Sequence, residues 1–128
     1  MDKAKPFDEY FCDVHLGEEK LARMQLTRKL VHELYPAVQE RTSYAMPGFY
    51  PKAATKATQQ LFLLMANKKW LGLYGTQGLT LDDLHEFKEA GVTEGKGSLQ
   101  VPYDMPEDSF KRLLKLVIEF NLKRHGLE

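Results

Sequence analysis

The chain has 128 residues, of which 43% are hydrophobic and 28% charged, as in an ordinary soluble globular domain. The 18 basic and 18 acidic side chains cancel, so no long-range field attracts nucleic acid or an anionic membrane, and we expect neither as a partner. The balanced charge favours a monomer or a weak homodimer.

The predicted compartment is the cytoplasm. Cys12 is the single cysteine and cannot form an internal disulfide. No apolar run approaches the roughly 20 residues that span a bilayer, and no apolar signal segment follows Met1. We expect one domain over residues 1–126. The pair Leu127-Glu128 after Gly126 is typical of a remnant of an expression tag.

Two long helices are predicted. Apolar residues with helical spacing begin after Gly17, and Pro36 disfavours helical geometry at Tyr35, so the first helix should end there. A last helix should begin near Pro106 and end at Gly126. The apolar stripe of this last helix contains Phe110, Leu113, Leu114, Val117 and Phe120. A short helix between the long ones is predicted to begin at Thr80, with Asp83 completing an approximate capping box, and to end at Gly91.

Strand patterns occupy most of the chain between the helices. Residues 38–44 read as a strand that Met46-Pro47-Gly48 should break with a sharp turn. Residues 61–66 and 70–74 should form a hairpin around Asn67-Lys68. In the second of these strands, Trp70, Gly72 and Tyr74 should share one face and Leu71 and Leu73 the other.

Two further segments complete the pattern. Residues 51–59 are small and polar and are predicted to be an exposed excursion. Residues 98–101 read as another strand, opened by Gly95-Lys96-Gly97 and stopped by Pro102. The order of elements predicts an α+β fold, with helices packed on a twisted antiparallel sheet.

The chain resembles the YdhG-like family, a domain of unknown function. Members carry Phe-Asp-Glu-Tyr near the N-terminus, a helix ending in Pro, Ile-Ser-Tyr-Gly-Met-Pro, Gly-Leu-Tyr, and a Lys-Gly-(Thr/Ser) strand ending in Pro. The matching positions, in order, are Phe7-Asp8-Glu9-Tyr10, Pro36, Thr42-Ser43-Tyr44-Ala45-Met46-Pro47, Gly72-Leu73-Tyr74 and Lys96-Gly97-Ser98-Leu99-Gln100-Val101-Pro102. This sequence departs from the family pattern at Ala45, where Gly is usual, and over residues 51–59.

The resemblance implies a frataxin-like fold and a role in iron delivery. Some relatives are assigned as iron chaperones for iron–sulfur cluster or haem assembly, so assembly proteins are the implied partners. By location and charge, the implied iron ligands are Asp8, Glu9, Asp13, Glu18 and Glu19. The alternative is that these carboxylates are solvated or complement the helix dipole. Lys20 and Arg23 lie among them and would lower cation affinity.

A second hypothesis is a binding cleft for a small molecule or a protein partner. Its predicted residues are Tyr44, Met46, Phe49, Trp70 and Tyr74, with Lys96 and Gln100 near the same end of the sheet. Apolar walls with a few polar groups are typical of ligand sites. The alternative is that these rings only form the core. No nucleophile–base pattern or paired carboxylates stand out, so an enzyme is not predicted.

Overall fold

The computed structural model describes residues 6–81 and 84–127. Within these residues the helices are α1 (Glu18–Leu34), α2 (His85–Glu89) and α3 (Glu107–His125). The strands are β1 (Gln39–Ser43), β2 (Met46–Tyr50), β3 (Phe62–Ala66), β4 (Leu71–Tyr74), β5 (Thr93–Gly95) and β6 (Ser98–Val101). Short 3-10 turns lie at Phe7–Phe11, Val14–Leu16 and Ala57–Gln59. No helix in these ranges is both long enough and apolar enough to cross a membrane.

The strands form one antiparallel sheet in the order β1-β2-β3-β4-β6-β5. The first four strands follow one another as a meander. The hairpin of β5 and β6 then joins the edge of β4 through β6. The predicted α+β class is therefore confirmed, whereas the sequence did not indicate β5.

One face of the sheet packs on the two long helices. Because successive strand residues point to opposite faces, Leu71 and Leu73 face the helices while Gly72 and Tyr74 face outward. The buried helix residues in this core are Met24, Leu30 and Val31 of α1 and Phe110, Leu113, Leu114, Val117 and Ile118 of α3. Of the predicted α3 stripe, Phe110, Leu113, Leu114 and Val117 are buried as expected, whereas Phe120 is only partly buried.

The end of α3 connects this core to a second apolar cluster. Gly126 adopts left-handed geometry (φ 68°) and the Leu127 N–H donates to the Leu122 carbonyl at 3.0 Å, which is a Schellman ending. Leu127 packs on the outward cluster around Tyr50 and Leu63. This residue therefore contributes to the packing of the fold.

The turn between β1 and β2 corrects the sequence prediction. Met46, Pro47 and Gly48 do not break a strand but lie within β2. The chain reverses at Tyr44 and Ala45, whose φ angles are 54° and 57°, and Ser43 pairs with Met46 across this two-residue turn. Positive φ at both central residues is the geometry that matches the twist of a hairpin. Pairing of the flanking strands outweighs the local turn signal of Pro-Gly.

The loop between β3 and β4 is also longer than predicted. Ala66 pairs with Leu71, so the connection is Asn67–Trp70 and not the Asn67-Lys68 turn. The Asn67 N–H donates to the Trp70 carbonyl at 2.9 Å. The Tyr103 hydroxyl donates to the carbonyls of Asn67 (2.6 Å) and Trp70 (3.0 Å). Because burial removes the phenol from water, the pKa of Tyr103 rises to about 12.

Two other segments differ in part from expectation. The short helix α2 begins at His85, after Leu84, and not at Thr80, and Asp83 lies outside the described residues. Gly91 follows α2 with φ 94°, as predicted. Residues 51–59 are mostly exposed, as predicted, but Pro51 and Ala54 are buried. The Arg41 guanidinium of β1 donates to the Ala54 carbonyl at 2.9 Å and holds the segment on the sheet.

Candidate functional site

The sheet opens between β2 and β3 at the end that carries the Tyr44-Ala45 turn. The described ladder between these strands contains only Gly48 with Leu63 and Phe49 with Phe62. Pro47 is the next residue of β2. Pro47 is one position beyond the pair that closes the two-residue turn, so its backbone nitrogen faces β3 and not β1. Proline has no N–H, so it cannot extend the ladder towards β3. The proline therefore ends the pairing before the strands end.

A cavity of about 540 Å³ occupies this opening, and we call it the β2–β3 cavity. Its volume lies within the range typical of small-molecule sites. The strand ends form one wall, and the N-terminal 3-10 turns with α1 form the other. Its lining residues are Tyr10, Asp13, Leu16, Met24, Tyr44, Ala45, Met46, Pro47, Leu64, Met65 and Ala66. At the rim, Tyr44 is 66% exposed and Met65 45% exposed.

The lining is mainly apolar, with a few polar groups. The thioethers come from Met24, Met46 and Met65, and the polar side chains are Tyr10, Asp13 and Tyr44. Among the described lining residues, Asp13 is the only one with a charged side chain. One of its oxygens accepts from the His15 N–H at 3.0 Å, which fixes the orientation of the carboxylate.

Strain at the rim leads to a stability prediction. Left-handed geometry costs a residue with a Cβ roughly 1–2 kcal/mol, a cost that glycine avoids. Glycine loses more backbone entropy on folding, so we expect Ala45→Gly to raise the free energy of unfolding by about 0.5–1 kcal/mol. Urea denaturation measures the change. Ala53→Gly is the matched control, because Ala53 is exposed and its φ is not positive, and it should lose stability. An equal loss in both variants would contradict the prediction.

The structure brings together only part of the predicted cleft. Tyr44 and Met46 line the β2–β3 cavity, whereas Phe49 is fully buried in the core on the helix side of the sheet. Tyr74 lies outward on β4 over Gly72, where a Cβ would meet its hydroxyl at 2.6 Å. That hydroxyl accepts from the Asn67 amide at 3.0 Å. The rings therefore do not meet on one face, as the cleft hypothesis required.

Lys96 and Gln100 also lie away from the cavity. Lys96 is in the turn between β5 and β6, at the sheet end where Ser98 pairs with Tyr74. Tyr44 is at the opposite end, so the predicted convergence of Tyr44 and Lys96 is wrong. Gln100 faces outward and bonds to its neighbours, donating to the Ser98 hydroxyl at 2.9 Å. Trp70, 41% exposed, lies in the β3–β4 loop and does not line the cavity.

The carboxylates proposed as iron ligands are spread over the N-terminal surface. Asp8 pairs with Arg28 at 2.7 Å, and Asp13 accepts from the His15 backbone. Glu9, Glu18 and Glu19 are exposed. Within residues 6–81 and 84–127, no group of three or more His, Cys, Asp or Glu side chains is placed to hold a metal ion.

Arg28 instead organises this surface. Its guanidinium donates to both oxygens of Glu40, at 2.8 and 2.9 Å, and lies 5.0 Å from the ring centres of Phe7 and Phe11. The His32 Nε2 atom lies 2.9 Å from Glu40 Oε2. Burial raises the pKa of Glu40, but the hydrogen bonds from Arg28 and His32 outweigh it, and the pKa falls below its ordinary value.

This ion pair should make stability depend on acidity. Because the pKa of Glu40 is lower in the folded chain, the pair stabilises the fold above the ordinary glutamate pKa, and the contribution is lost as the pH falls through the lowered value. We expect Glu40→Gln to be less stable than the parent at neutral pH and to approach it in strong acid. Urea denaturation across the acidic range checks this. A constant difference at all pH values would contradict it, and Glu89→Gln, at an exposed position of α2, is the control.

Comparison with known proteins identifies the architecture. The crystal structure of YdhG from Bacillus subtilis, a protein of the DUF1801 family, superposes with a TM-score of 0.68, covering 94% of this chain and 90% of that chain. The chain has the fold of YdhG. At 18% identity the likeness to YdhG shows the fold alone. The sequence matches no model of a known family and no curated protein.

The likeness to YdhG agrees with the motifs from which the resemblance was drawn. It confirms the α+β fold, with helices and an antiparallel sheet, that those motifs implied. The further relation to frataxin stays a prediction.

Proposed function

We propose that the protein binds a small, largely apolar ligand in the β2–β3 cavity, without a chemical step. The observation that carries this proposal is the cavity itself, about 540 Å³ between strand ends that a proline keeps apart. A few polar groups set in apolar walls would orient a ligand while burial of its apolar surface supplies affinity.

Two features of the lining support binding. The left-handed pair Tyr44 and Ala45 forms the rim, and strained backbone is concentrated at ligand-binding sites. Met24, Met46 and Met65 contribute unbranched thioethers, which adapt to ligands of different shape. A cytoplasmic location remains part of this proposal.

The test uses neutral probes. We expect benzyl alcohol and indole to shift the backbone amide signals of Ala45, Met65 and Ala66 in a saturable manner. Ala66→Leu should abolish these shifts, because the Ala66 side chain lines the cavity and a larger side chain would fill it. Ala53→Leu adds the same volume at an exposed site and should leave them unchanged. Absence of saturable shifts in the parent, or their persistence in Ala66→Leu, would overturn the proposal.

Iron delivery to iron–sulfur or haem assembly proteins is the other function that the resemblance implies. It rests on the exposed carboxylates near the start of α1. Calorimetric titration with ferrous iron tests it on the parent and on a variant with Glu9, Glu18 and Glu19 changed to Gln. Asp13 is left intact, because it also lines the β2–β3 cavity. Weaker iron binding in the variant would support an iron site at these carboxylates, and equal binding would contradict that assignment.

A further inference from the structure

We infer that the ligand of the β2–β3 cavity carries a primary carboxamide beside its apolar body, and that this group pairs with the backbone N–H and C=O of Ala66. The inference rests on the proposed function, and it specifies the chemical class of the ligand. Ala66 is the last residue of β3, lines the cavity and is partly buried there.

Both backbone groups of Ala66 face the cavity. The Asn67 N–H donates to the Trp70 carbonyl at 2.9 Å, so the backbone of Asn67 faces the β4 side of the sheet. Successive residues of a strand direct their N–H and C=O to opposite sides, so the backbone of Ala66 faces β2. The β2 register places Ala45 level with Ala66, but Ala45 lies in the left-handed turn and lines the cavity. The Ala66 backbone is therefore directed into the gap between the strands.

This backbone edge of β3 has acceptors and a donor to offer. Within the part of the chain that the structure describes, the ladder with β2 stops before Ala66, and no other hydrogen bond reaches its N–H or its C=O. The Leu64 backbone faces the same way, and its carbonyl lies level with Pro47, which has no N–H to donate. The edge therefore presents the Ala66 N–H as a donor and two carbonyls as acceptors.

A primary carboxamide complements this edge. Its oxygen can accept from the Ala66 N–H while its NH2 group donates to the Ala66 carbonyl, as two residues do in a hydrogen-bonded strand pair. A ketone of the same shape has no donor for the carbonyls. A carboxylate has acceptors only, so its oxygens would face the two carbonyls without a hydrogen bond. The edge therefore selects a neutral amide over both.

The first test compares benzamide with acetophenone, which has CH3 in place of NH2 and nearly the same shape. Dissociation constants come from the amide shifts of Ala45 and Met65. We expect benzamide to bind about fivefold tighter, which is the typical net effect of one hydrogen bond. Both compounds should slow hydrogen exchange of the Ala66 N–H at saturation, because both have an oxygen that accepts from it. Toluene has no acceptor and should leave this exchange unchanged.

The second test removes only the Ala66 N–H. Lactic acid incorporated at this position gives an ester that keeps the methyl side chain, and it should weaken benzamide binding about fivefold while leaving toluene binding unchanged. The same replacement at Ala53, an exposed residue that does not line the cavity, is the control and should leave all affinities as in the parent.

Three results would overturn the inference while leaving the proposed function standing. They are equal binding of benzamide and acetophenone by the parent, Ala66 exchange that benzamide does not slow, and undiminished benzamide binding by the Ala66 ester. Failure of every probe to bind the parent, toluene included, would overturn both.

Discussion

Replacing Leu113 with alanine is expected to lower the free energy of unfolding by about 3 kcal/mol. Leu113 is 0% exposed and lies in the middle of α3, within the core formed by this helix, α1 and the inner face of the sheet. Removing its branched end forfeits the burial of those atoms and leaves a cavity that close-packed neighbours cannot fully collapse into. Such changes cost roughly 2–5 kcal/mol.

Urea denaturation of the parent and the variant measures this loss. Leu116→Ala is the matched control: it makes the same change in the same helix at a partly exposed position, and it should cost less. A loss below about 1 kcal/mol for Leu113→Ala would mean that this face of α3 is not packed as described.

The second large effect is expected at Asn121. This residue is 0% exposed, and its amide nitrogen donates to the carbonyls of Leu61 (2.5 Å) and Gly75 (2.8 Å). Asn121 therefore joins α3 to the chain entering β3 and the chain leaving β4. Asn121→Asp would replace the donor with a negative oxygen facing two acceptors. An unpaired buried charge of this kind costs about 3–5 kcal/mol.

The pH dependence of the stability of Asn121→Asp distinguishes the effect of the buried charge from the effect of losing the hydrogen-bond donor. Because the carboxylate is disfavoured in the folded chain, its pKa there would lie above the unfolded value. The destabilisation would therefore be present at neutral pH and would diminish as acid protonates the group. Asn121→Ala, which loses the donor without adding a charge, should show no such recovery relative to the parent. Equal stability of Asn121→Asp and the parent at neutral pH would contradict the described contacts.

The two long helices were predictable because their signals are local. Pro36 and Gly126 mark ends through their own backbone geometry, and the stripe along α3 repeats with helical spacing. Asn121 lies on that stripe, four positions after the buried Val117. A polar residue among apolar ones at this spacing was the available signal for a buried hydrogen-bonding side chain, but its partners are distant in sequence.

The turn at Tyr44-Ala45 was not predictable from residue preferences. Neither residue favours positive φ, whereas Pro47-Gly48 carries a strong local turn signal. The strand pairing of Arg41 with Gly48 decides the outcome, and this pairing is a tertiary interaction. The position of Pro47 inside β2 is also what opens the cavity.

The cleft hypothesis failed in part because strand order is not encoded locally. The sequence placed Tyr44 and Lys96 near strand ends but could not show which ends adjoin. β6 inserts between β4 and β5, and the direction of these strands places Lys96 at the far end of the sheet. Asp13, which the family resemblance implied as an iron ligand, also lines the β2–β3 cavity.

The order of strands also bears on how quickly the chain can fold. β1 and β2 are joined by the pair Tyr44-Ala45, and β3 and β4 by the loop Asn67–Trp70, so these pairs close only short loops. β5 and β6 likewise form a hairpin of their own. Short closures cost little chain entropy, and sheets assembled from sequence neighbours fold faster than sheets that need distant pairings. The docking of β6 on β4, across residues 75–97, is the step with the largest loop closure in the sheet.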